Sequence, residues 1–451
     1  MRNLLLIGVL AAGAAQAQSD DPGYIRALAA GYEAAFTCSA TFNAGQTRAE
    51  IDANELNRIY SEYRQDVADL QPQISREGKY VSVRYAEDEP PRIAAWREHL
   101  GCTQLPIGGE LGTTPLPHLP LSASGRAPAD AEPLPRDLNA SLTPLVRAAF
   151  DSRTYGAGSK TSAVLILKDG EIVAERYAHG IDAETPQRTW SVAKSIAGTV
   201  LGIAAEQDLI DLRAPADVPE WQSRGDPRAR ITTEDLMRMA SGLTSDFAGN
   251  RTDAIYVGGT SVADSAPGQS LLHEPGTHYR YANNDTLLAL YGLRHSIGDD
   301  DRYRALPFRE LLWKLGMMDT YLETDWRGDF VMSSQVWTTA PDLARLGLLY
   351  LNDGIWEGER LLPEGFVEFV SMSSGPQPDR PWGYGATFWT AGAESGLPAG
   401  TFAAMGNRGQ YLVIVPEEDV LVIRRGYDPI GEDMGFDITA FTRDVLGQLE
   451  E

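Results

Sequence analysis

The chain has 451 residues and a formal net charge of −24, from 39 Lys and Arg against 63 Asp and Glu. Its 43% hydrophobic and 23% charged residues are an ordinary globular composition, which excludes a fibrous or wholly disordered protein. A protein this acidic is repelled by phosphate backbones, and no run of Lys and Arg offsets the average, so nucleic acid is excluded as a partner. Function must therefore be sought in a localised site.

The first 17 residues have the three parts of a secretory signal peptide. Arg2 provides the positive start, an apolar stretch runs from Leu4 to about Ala15, and Ala15-Gln16-Ala17 is a typical cleavage pattern. The apolar stretch is shorter than the ~20 residues of a membrane helix, and no later run is long enough to cross a bilayer. We therefore expect a periplasmic or secreted protein with no membrane span in the mature chain.

Residues 18–135 are predicted to form a small N-terminal accessory domain that ends in a linker. Four segments carry the periodicity of secondary structure, namely helices at 25–36 and 48–63 and strands at 79–85 and 92–96. Residues 106–135 are rich in Pro, Gly and Ala, which favours neither a helix nor a sheet. From its position in the chain alone, we also expect this region to cover part of the functional site.

Cys38 and Cys102 are the only cysteines. Export to an oxidising compartment favours their pairing, so we expect one disulfide, and the alternative is a pair of buried thiols. The bridge would close a loop of about 65 residues and contribute roughly 4 kcal/mol to stability. No cysteine would then remain as a nucleophile or a metal ligand.

Residues 136–451 have the pattern of an α/β (α+β) fold. Five segments have strand character, namely 162–168 and 171–177 around an Asp-Gly turn, and 401–405, 409–415 and 419–424 near the C-terminus. Mostly helical patterns separate the two groups, and a closing helix is expected at 436–449. We therefore predict a five-stranded antiparallel sheet flanked by helices, with an inserted helical subdomain at about 191–379.

One serine and lysine pair has the spacing of an activated nucleophile. Of five lysines, only Lys194 has a serine three residues before it, Ser191. The pair opens an apolar helical segment, so Ser191 lies at a helix N-terminus with Lys194 one turn further on the same face. A buried lysine can lose its proton and act as a base, which arginine cannot do.

Five features, one of which is this pair, occur in a definite order along the chain. They are the hairpin before the serine, Ser191-Val-Ala-Lys194 within TWSVAKS, ITTEDLMRMASGL at 231–243, a Pro-Gly-Thr segment with Tyr281-Ala-Asn283, and a glycine-entered strand after Met405-Gly-Asn-Arg-Gly-Gln410. Over about residues 136–451 the sequence resembles the serine β-lactamase and penicillin-binding-protein superfamily. Within it, the sequence is similar to the branch of class C β-lactamases, family VIII esterases and 6-aminohexanoate-dimer hydrolases.

The resemblance implies a role for each matching residue. Ser191 would be the acylated nucleophile, Lys194 its base, and Tyr281 the group that passes the proton to the leaving group and helps to activate the deacylating water. Asn283 would hold Lys194 and the substrate carbonyl. The backbone N–H groups of Ser191 and Gln410 would form the oxyanion hole.

The chain departs from the family pattern at Asn407-Arg408-Gly409, where lactamases and D,D-peptidases have Lys-Thr-Gly. The missing lysine normally binds a substrate carboxylate. Arg408 is a candidate replacement, but side chains alternate along a strand, so its guanidinium could equally face away. This difference favours small esters or amides as substrates over a β-lactam or a D-alanyl peptide.

Several alternatives remain in view. A β-lactamase, a penicillin-binding D,D-peptidase and a sensor that stays acylated are all compatible with the same motifs. No G-x-S-x-G motif supports a Ser-His-Asp hydrolase, and the six histidines lack metal-ligand spacing, so we expect neither a metal nor an organic cofactor. The sequence does not indicate the natural substrate, the acyl acceptor or the oligomeric state.

Overall fold

The computed structural model of the protein describes residues 21–120, 131–244, 252–430 and 435–450. The predicted signal peptide therefore lies outside the described residues, as does part of the predicted linker.

Three helices and a small antiparallel sheet form the N-terminal region. The helices are α1 (Pro22–Phe42), α2 (Arg48–Ala53) and α3 (Ser61–Asp69), and the strands, which pair in chain order, are β1 (Pro72–Ser75), β2 (Tyr80–Val83), β3 (Arg92–Arg97) and β4 (Gly101–Gln104). Asp21 caps α1 and Pro22 occupies its first turn, as expected at a helix N-terminus. The segment at 48–63, predicted as one helix, is instead interrupted after Ala53, and the connection to α3 contains Arg58 with a positive φ of 53°, which a continuous helix does not allow.

A disulfide joins Cys38 in α1 to Cys102 in β4, which confirms the predicted pairing. The bridge fixes the main helix of the N-terminal region to the last strand of its sheet.

A seven-stranded antiparallel sheet forms the centre of the remaining chain. The strands are β5 (Thr161–Lys168), β6 (Glu171–Tyr177), β12 (Trp382–Tyr384), β13 (Trp389–Ala391), β14 (Phe402–Gly406), β15 (Gln410–Val415) and β16 (Val420–Gly426), in the order β12-β13-β14-β15-β16-β5-β6. The five predicted strands are all present, and β12 and β13 extend the sheet beyond β14. These two strands have three residues each, too few to give a clear alternating pattern.

Helices and short strands fill the long insertion between β6 and β12 and flank the sheet. The helices of the second part of the chain are α4 (Thr143–Ala148), α5 (Val192–Glu206), α6 (Thr233–Met237), α7 (Asp253–Tyr256), α8 (Val262–Ser265), α9 (Asn283–Ile297), α10 (Asp300–Pro307), α11 (Trp313–Leu315), α12 (Ala340–Leu351), α13 (Phe366–Ser371) and α14 (Ile438–Leu449). The short strands are β7 (Gln187–Arg188), β8 (Tyr321–Leu322) and β9 (Val336–Thr338) in one sheet, and β10 (Ile355–Trp356) with β11 (Glu359–Arg360) in another. The α/β (α+β) class with an inserted helical region is confirmed.

The N-terminal region shares its hydrophobic core with the rest of the chain. Buried residues of α1 such as Ala29 and Phe36 belong to the same cluster as Trp190 and the apolar residues of α5. A second cluster lies on the other face of the large sheet, against α4 and α14. The predicted boundary at residue 135 therefore does not coincide with a break in the core. Among the described residues, no helix combines the length and apolar character needed to span a bilayer.

Candidate active site

Ser191 lies at the N-terminus of α5, directly after a residue with unusual backbone geometry. Trp190 has a positive φ of 50°, a conformation that costs a non-glycine residue roughly 1–3 kcal/mol. The Trp190 ring packs against Phe36 and Tyr60, with centroids 5.8 and 6.4 Å away, so N-terminal aromatic side chains hold this turn. The Ser191 side chain makes no capping hydrogen bond to α5, and its hydroxyl instead accepts one from Lys194.

Lys194 is almost completely buried, with 1% of its surface exposed. Its Nζ donates to Ser191 Oγ at 3.1 Å, to Asn283 Oδ1 at 2.6 Å and to the carbonyl oxygen of Ser333 at 2.6 Å. Burial penalises the charged ammonium and lowers the pKa of Lys194 to about 7. A large fraction of this lysine is therefore neutral at physiological pH and able to accept a proton from the serine.

Tyr281 and Asn283 enter the site from the start of α9. The Tyr281 ring stacks on Trp389 at 5.5 Å and meets Tyr384 edge-on at 5.9 Å, and Lys194 Nζ lies 5.0 Å from its centroid. Burial raises the pKa of Tyr281 to about 12, although its hydrogen bond with Ser191 opposes the shift. Tyr281 is thus a protonated donor at neutral pH, while Lys194 is the available base.

The end of β14 closely approaches the N-terminus of α5. A Cβ atom on Gly406 would lie 2.3 Å from the carbonyl oxygen of Thr189 and 3.0 Å from the Ser191 nitrogen, so no larger residue fits without a shift. Asn407 follows directly, and its side chain accepts from the Arg408 N–H and donates to Tyr60 Oη at 3.3 Å. The backbone beside the Ser191 amide is therefore that of Gly406 and Asn407.

Arg408 does not reach the site, which corrects its assignment as a candidate substrate-binding residue. Its guanidinium is buried and donates to the carbonyl oxygens of Glu55, Asn57 and Asp428 at 2.8–2.9 Å. Arg408 lies in the turn between β14 and β15, where its φ is 59°, and its side chain joins this turn to the N-terminal region, whereas Asn407 faces the cleft.

Gln410, whose backbone N–H was predicted as an oxyanion donor, and Gly409 before it are not among the residues that line the space around Ser191. Gly409 has a φ of 76°, and its lack of a side chain makes room for Arg424 and Asp428 rather than for substrate. Gln410 pairs with Gly406 in the ladder, and its buried side chain accepts from Arg425 at 2.7 Å. The strand next to the serine is thus β14, one strand away from the predicted position.

Two pockets meet at Ser191, Tyr281 and Asn407. The first has about 740 Å³ of empty space, part of it open to solvent, and is lined by Tyr32, Phe36, Tyr60, Arg188, Trp190, Asp253, Tyr256, Val257, Asn283 and Ser334 as well. The second, of about 820 Å³, is more open and is also lined by Arg380, Pro381, Trp382, Trp389, Met405, Gly406 and Tyr411. We call them the inner pocket and the outer pocket.

Several lining residues were not predicted from the sequence. Tyr32 and Phe36 are four residues apart in α1, a spacing that also fits an ordinary buried helix face. Arg188 lies in the short strand β7, where a charged residue gives no local signal of burial. Trp382 in β12 and Trp389 in β13 line the outer pocket. In the described ranges, no group of three His, Cys, Asp or Glu side chains is arranged to hold a metal ion.

Comparison with known proteins gives consistent matches. Residues 146–424 match the family model named Beta-lactamase. The 6-aminohexanoate-dimer hydrolase of Paenarthrobacter ureafaciens is 26% identical over 304 residues, which is 58% of this chain and 72% of that protein. A Bacillus anthracis protein proposed to be a 6-aminohexanoate-dimer hydrolase has a TM-score of 0.60 at 20% identity, with 72% of this chain and 89% of that chain covered. A class C β-lactamase in complex with cefoxitin has a TM-score of 0.51 at 15% identity, with 68% and 97% covered.

Proposed function

This chain belongs to the β-lactamase family and is a serine hydrolase, and we propose that it cleaves small amides or esters through an acyl-enzyme on Ser191. The observation that carries the proposal is the contact between Lys194 Nζ and Ser191 Oγ at 3.1 Å, in a setting that lowers the pKa of the lysine to about 7. A nucleophile in hydrogen-bond contact with a neutral base is the arrangement that acyl transfer requires.

Acylation begins when neutral Lys194 takes the proton of the Ser191 hydroxyl as Oγ attacks the substrate carbonyl carbon. The tetrahedral intermediate then collapses, the bond to the leaving nitrogen or oxygen breaks, and Tyr281 gives its proton to that atom. Lys194 returns a proton to Tyr281, so the enzyme ends this half-reaction acylated and otherwise unchanged.

The oxyanion of the intermediate needs two converging donors. The Ser191 N–H is one of them, and we assign the second to the backbone N–H of Asn407 in place of Gln410. The support is the close approach of Gly406 to the Ser191 nitrogen and the position of Asn407 at the meeting point of the two pockets.

Deacylation reverses these proton transfers with water as the nucleophile. Lys194 and Tyr281 together accept the water proton while the water oxygen attacks the acyl carbon, and the proton is returned to Ser191 Oγ as the ester bond breaks. Asn283, whose Oδ1 accepts from Lys194 at 2.6 Å, holds the lysine in place throughout.

Linear amides and esters fit this site better than β-lactams. The name of the related 6-aminohexanoate-dimer hydrolase states its substrate, and a dimer of 6-aminohexanoate is a linear amide. Arg408, the candidate replacement for the family cation, donates to backbone carbonyl oxygens and is therefore not available to bind the carboxylate of a β-lactam. We also propose that the protein is exported, which the Cys38–Cys102 disulfide supports because such bonds persist in oxidising compartments.

Intact-mass spectrometry over time tests the proposal. The protein is incubated briefly with 4-nitrophenyl acetate and butyrate, the aminohexanoate dimer, a D-alanyl peptide and a cephalosporin. We expect a transient mass gain from the esters or the dimer, localised to Ser191 and absent in Ser191→Ala. Turnover that survives in Ser191→Ala would refute the mechanism, and a lasting adduct from the cephalosporin would instead support a penicillin-binding or sensor role.

Amino-terminal sequencing of the exported protein tests the export proposal. The mature chain is expected to begin after Ala17.

A further inference from the structure

We propose that the inner pocket binds a carboxylate carried by the acyl group of the substrate, with Arg188 and Tyr32 as its donors. The preferred substrates would then be monoesters or monoamides of short dicarboxylic acids. This inference rests on the proposed function, because it assigns the acyl group of that reaction to one side of Ser191.

Arg188 is a buried cation on the wall of the inner pocket, with 4% of its surface exposed. Its guanidinium lies over the rings of both Phe36 and Trp190, 4.2 and 4.1 Å from their centroids, and donates to the backbone and hydroxyl oxygens of Ser334. Within the part of the chain that the structure describes, no carboxylate comes within 4.0 Å of it. A buried guanidinium normally has such a partner, because an isolated buried charge is costly.

The acidic residues near Arg188 do not supply that partner. Glu323 and Glu55 interact with it through the electrostatic field, but burial raises the pKa of both carboxyl groups, that of Glu323 to about 7. Glu323 also accepts hydrogen bonds from Ser39 and from the Cys102 backbone. Asp253 lines the same pocket and accepts from Tyr63 Oη at 2.6 Å. Each of these acids has another partner or a weakened charge, and none of them forms a salt bridge with Arg188 within the described residues.

Tyr32 provides an independent sign that a polar ligand belongs here. Its hydroxyl is buried and has no hydrogen-bond partner among the residues that the structure describes, while its ring stacks on Phe36 at 4.1 Å and lines the pocket. Burial raises the pKa of Tyr32, so the group remains a donor. A buried donor without an acceptor is destabilising, and a carboxylate oxygen of a ligand would supply the missing acceptor.

The shape of the inner pocket suits an acyl chain that ends in a carboxylate. Aromatic rings line the space between Ser191 and Arg188, which favours methylene groups, and the guanidinium at the wall matches a carboxylate in two parallel hydrogen bonds. The acyl group stays on Ser191 after the first step, whereas the leaving group must depart before water attacks. The enclosed inner pocket therefore suits the acyl group, and the more open outer pocket suits the leaving group.

The test compares two esters that differ only at the end of the acyl chain. Mono-4-nitrophenyl glutarate carries a carboxylate where 4-nitrophenyl pentanoate carries a methyl group. We expect the protein to favour the glutarate by about 10-fold or more in kcat/KM, the range expected for a charge-assisted hydrogen bond. The readout is the ratio of the two kcat/KM values, because a general loss of folded protein lowers both together.

Three variants test which residues cause the preference for the glutarate ester. Arg188→Gln should reduce the ratio to about 1, and Tyr32→Phe should reduce it by about 3-fold or more. Arg380→Gln is the matched control, because Arg380 lines the outer pocket and should leave the ratio unchanged. A ratio in Arg188→Gln equal to that of the unmodified protein would overturn the assignment.

A further measurement does not depend on how Arg188→Gln folds. Free glutarate should inhibit pentanoate hydrolysis competitively, and uncharged glutaramide should not. If both esters acylate Ser191 equally well and glutarate does not compete, the carboxylate subsite is refuted while the proposed hydrolase function stands. If neither ester acylates Ser191, the proposed function itself fails.

Discussion

Replacing Asn283 by aspartate should move the pH dependence of catalysis to higher pH. The Asn283 Oδ1 atom lies 2.6 Å from Lys194 Nζ, so Asn283→Asp places a carboxylate in direct contact with the ammonium at almost unchanged volume. A negative charge at this distance stabilises the protonated lysine. Its pKa therefore rises, and the neutral base becomes scarcer at neutral pH.

The size of the effect follows from the pKa of Lys194, which is about 7. At pH 7 roughly half of the lysine is neutral, and a nearby opposite charge shifts a pKa by about 1–3 units. A shift of about 2 units leaves roughly 1% of the lysine neutral at pH 7, so kcat/KM should fall about 50-fold there. Activity should recover as the pH rises through about 9, because the base is then deprotonated again.

The assay is kcat/KM for a neutral 4-nitrophenyl ester from pH 5.5 to 9.5, corrected for spontaneous hydrolysis. The unmodified protein should lose activity below a midpoint near pH 7. Asn139→Asp is the control, since it makes the same charge change at an exposed helix cap outside both pockets. An Asn283→Asp profile with the same or a lower midpoint would refute Lys194 as the base.

Three further predictions concern the framework of the site. Gly406→Ala should lower kcat/KM about 100-fold, because the new Cβ would meet the Thr189 carbonyl oxygen at 2.3 Å, whereas Gly268→Ala, with nothing within 4 Å, should not. Arg408→Gln should lower the free energy of unfolding by about 3 kcal/mol in urea titrations, since buried carbonyl oxygens lose their donors. An unchanged urea midpoint combined with a raised KM would contradict that structural role. Replacing both cysteines of the disulfide by serine should cost about 4 kcal/mol, given the sequence separation of 64 residues, and an unchanged melting temperature would refute the estimate.

The sheet could be predicted because its signals are local. The turn between β5 and β6 needs two residues with positive φ, and Asp169 and Gly170 have φ values of 52° and 79°. The serine and lysine pair could be found for the same reason, because one helical turn brings the two side chains together. The family resemblance read from these motifs is confirmed by the match over residues 146–424.

The oxyanion strand and the inner pocket depend on contacts that local sequence does not encode. Gly409 signals a close approach to the backbone, but not from which side, and the neighbours that require it are Arg424 and Asp428. The pocket residue Phe36 precedes its neighbour Trp190 by more than 150 positions in the chain. The four-residue spacing of Tyr32 and Phe36 in α1 fits an ordinary buried helix face equally well. Such pairings are decided by how the whole chain packs.

The inner pocket is lined by residues from two separate stretches of the chain. The residues proposed to break the substrate bond lie within 146–424, the range of the family match, whereas Tyr32, Phe36 and Tyr60 lie before it. Phe36 also packs against Trp190, the residue before Ser191, so the same side chain borders the proposed acyl subsite and supports the turn that carries the nucleophile. A substitution at Phe36 should therefore change acyl-group selection and catalytic rate together, whereas Tyr32, which does not contact Trp190 through its ring, offers a more selective position.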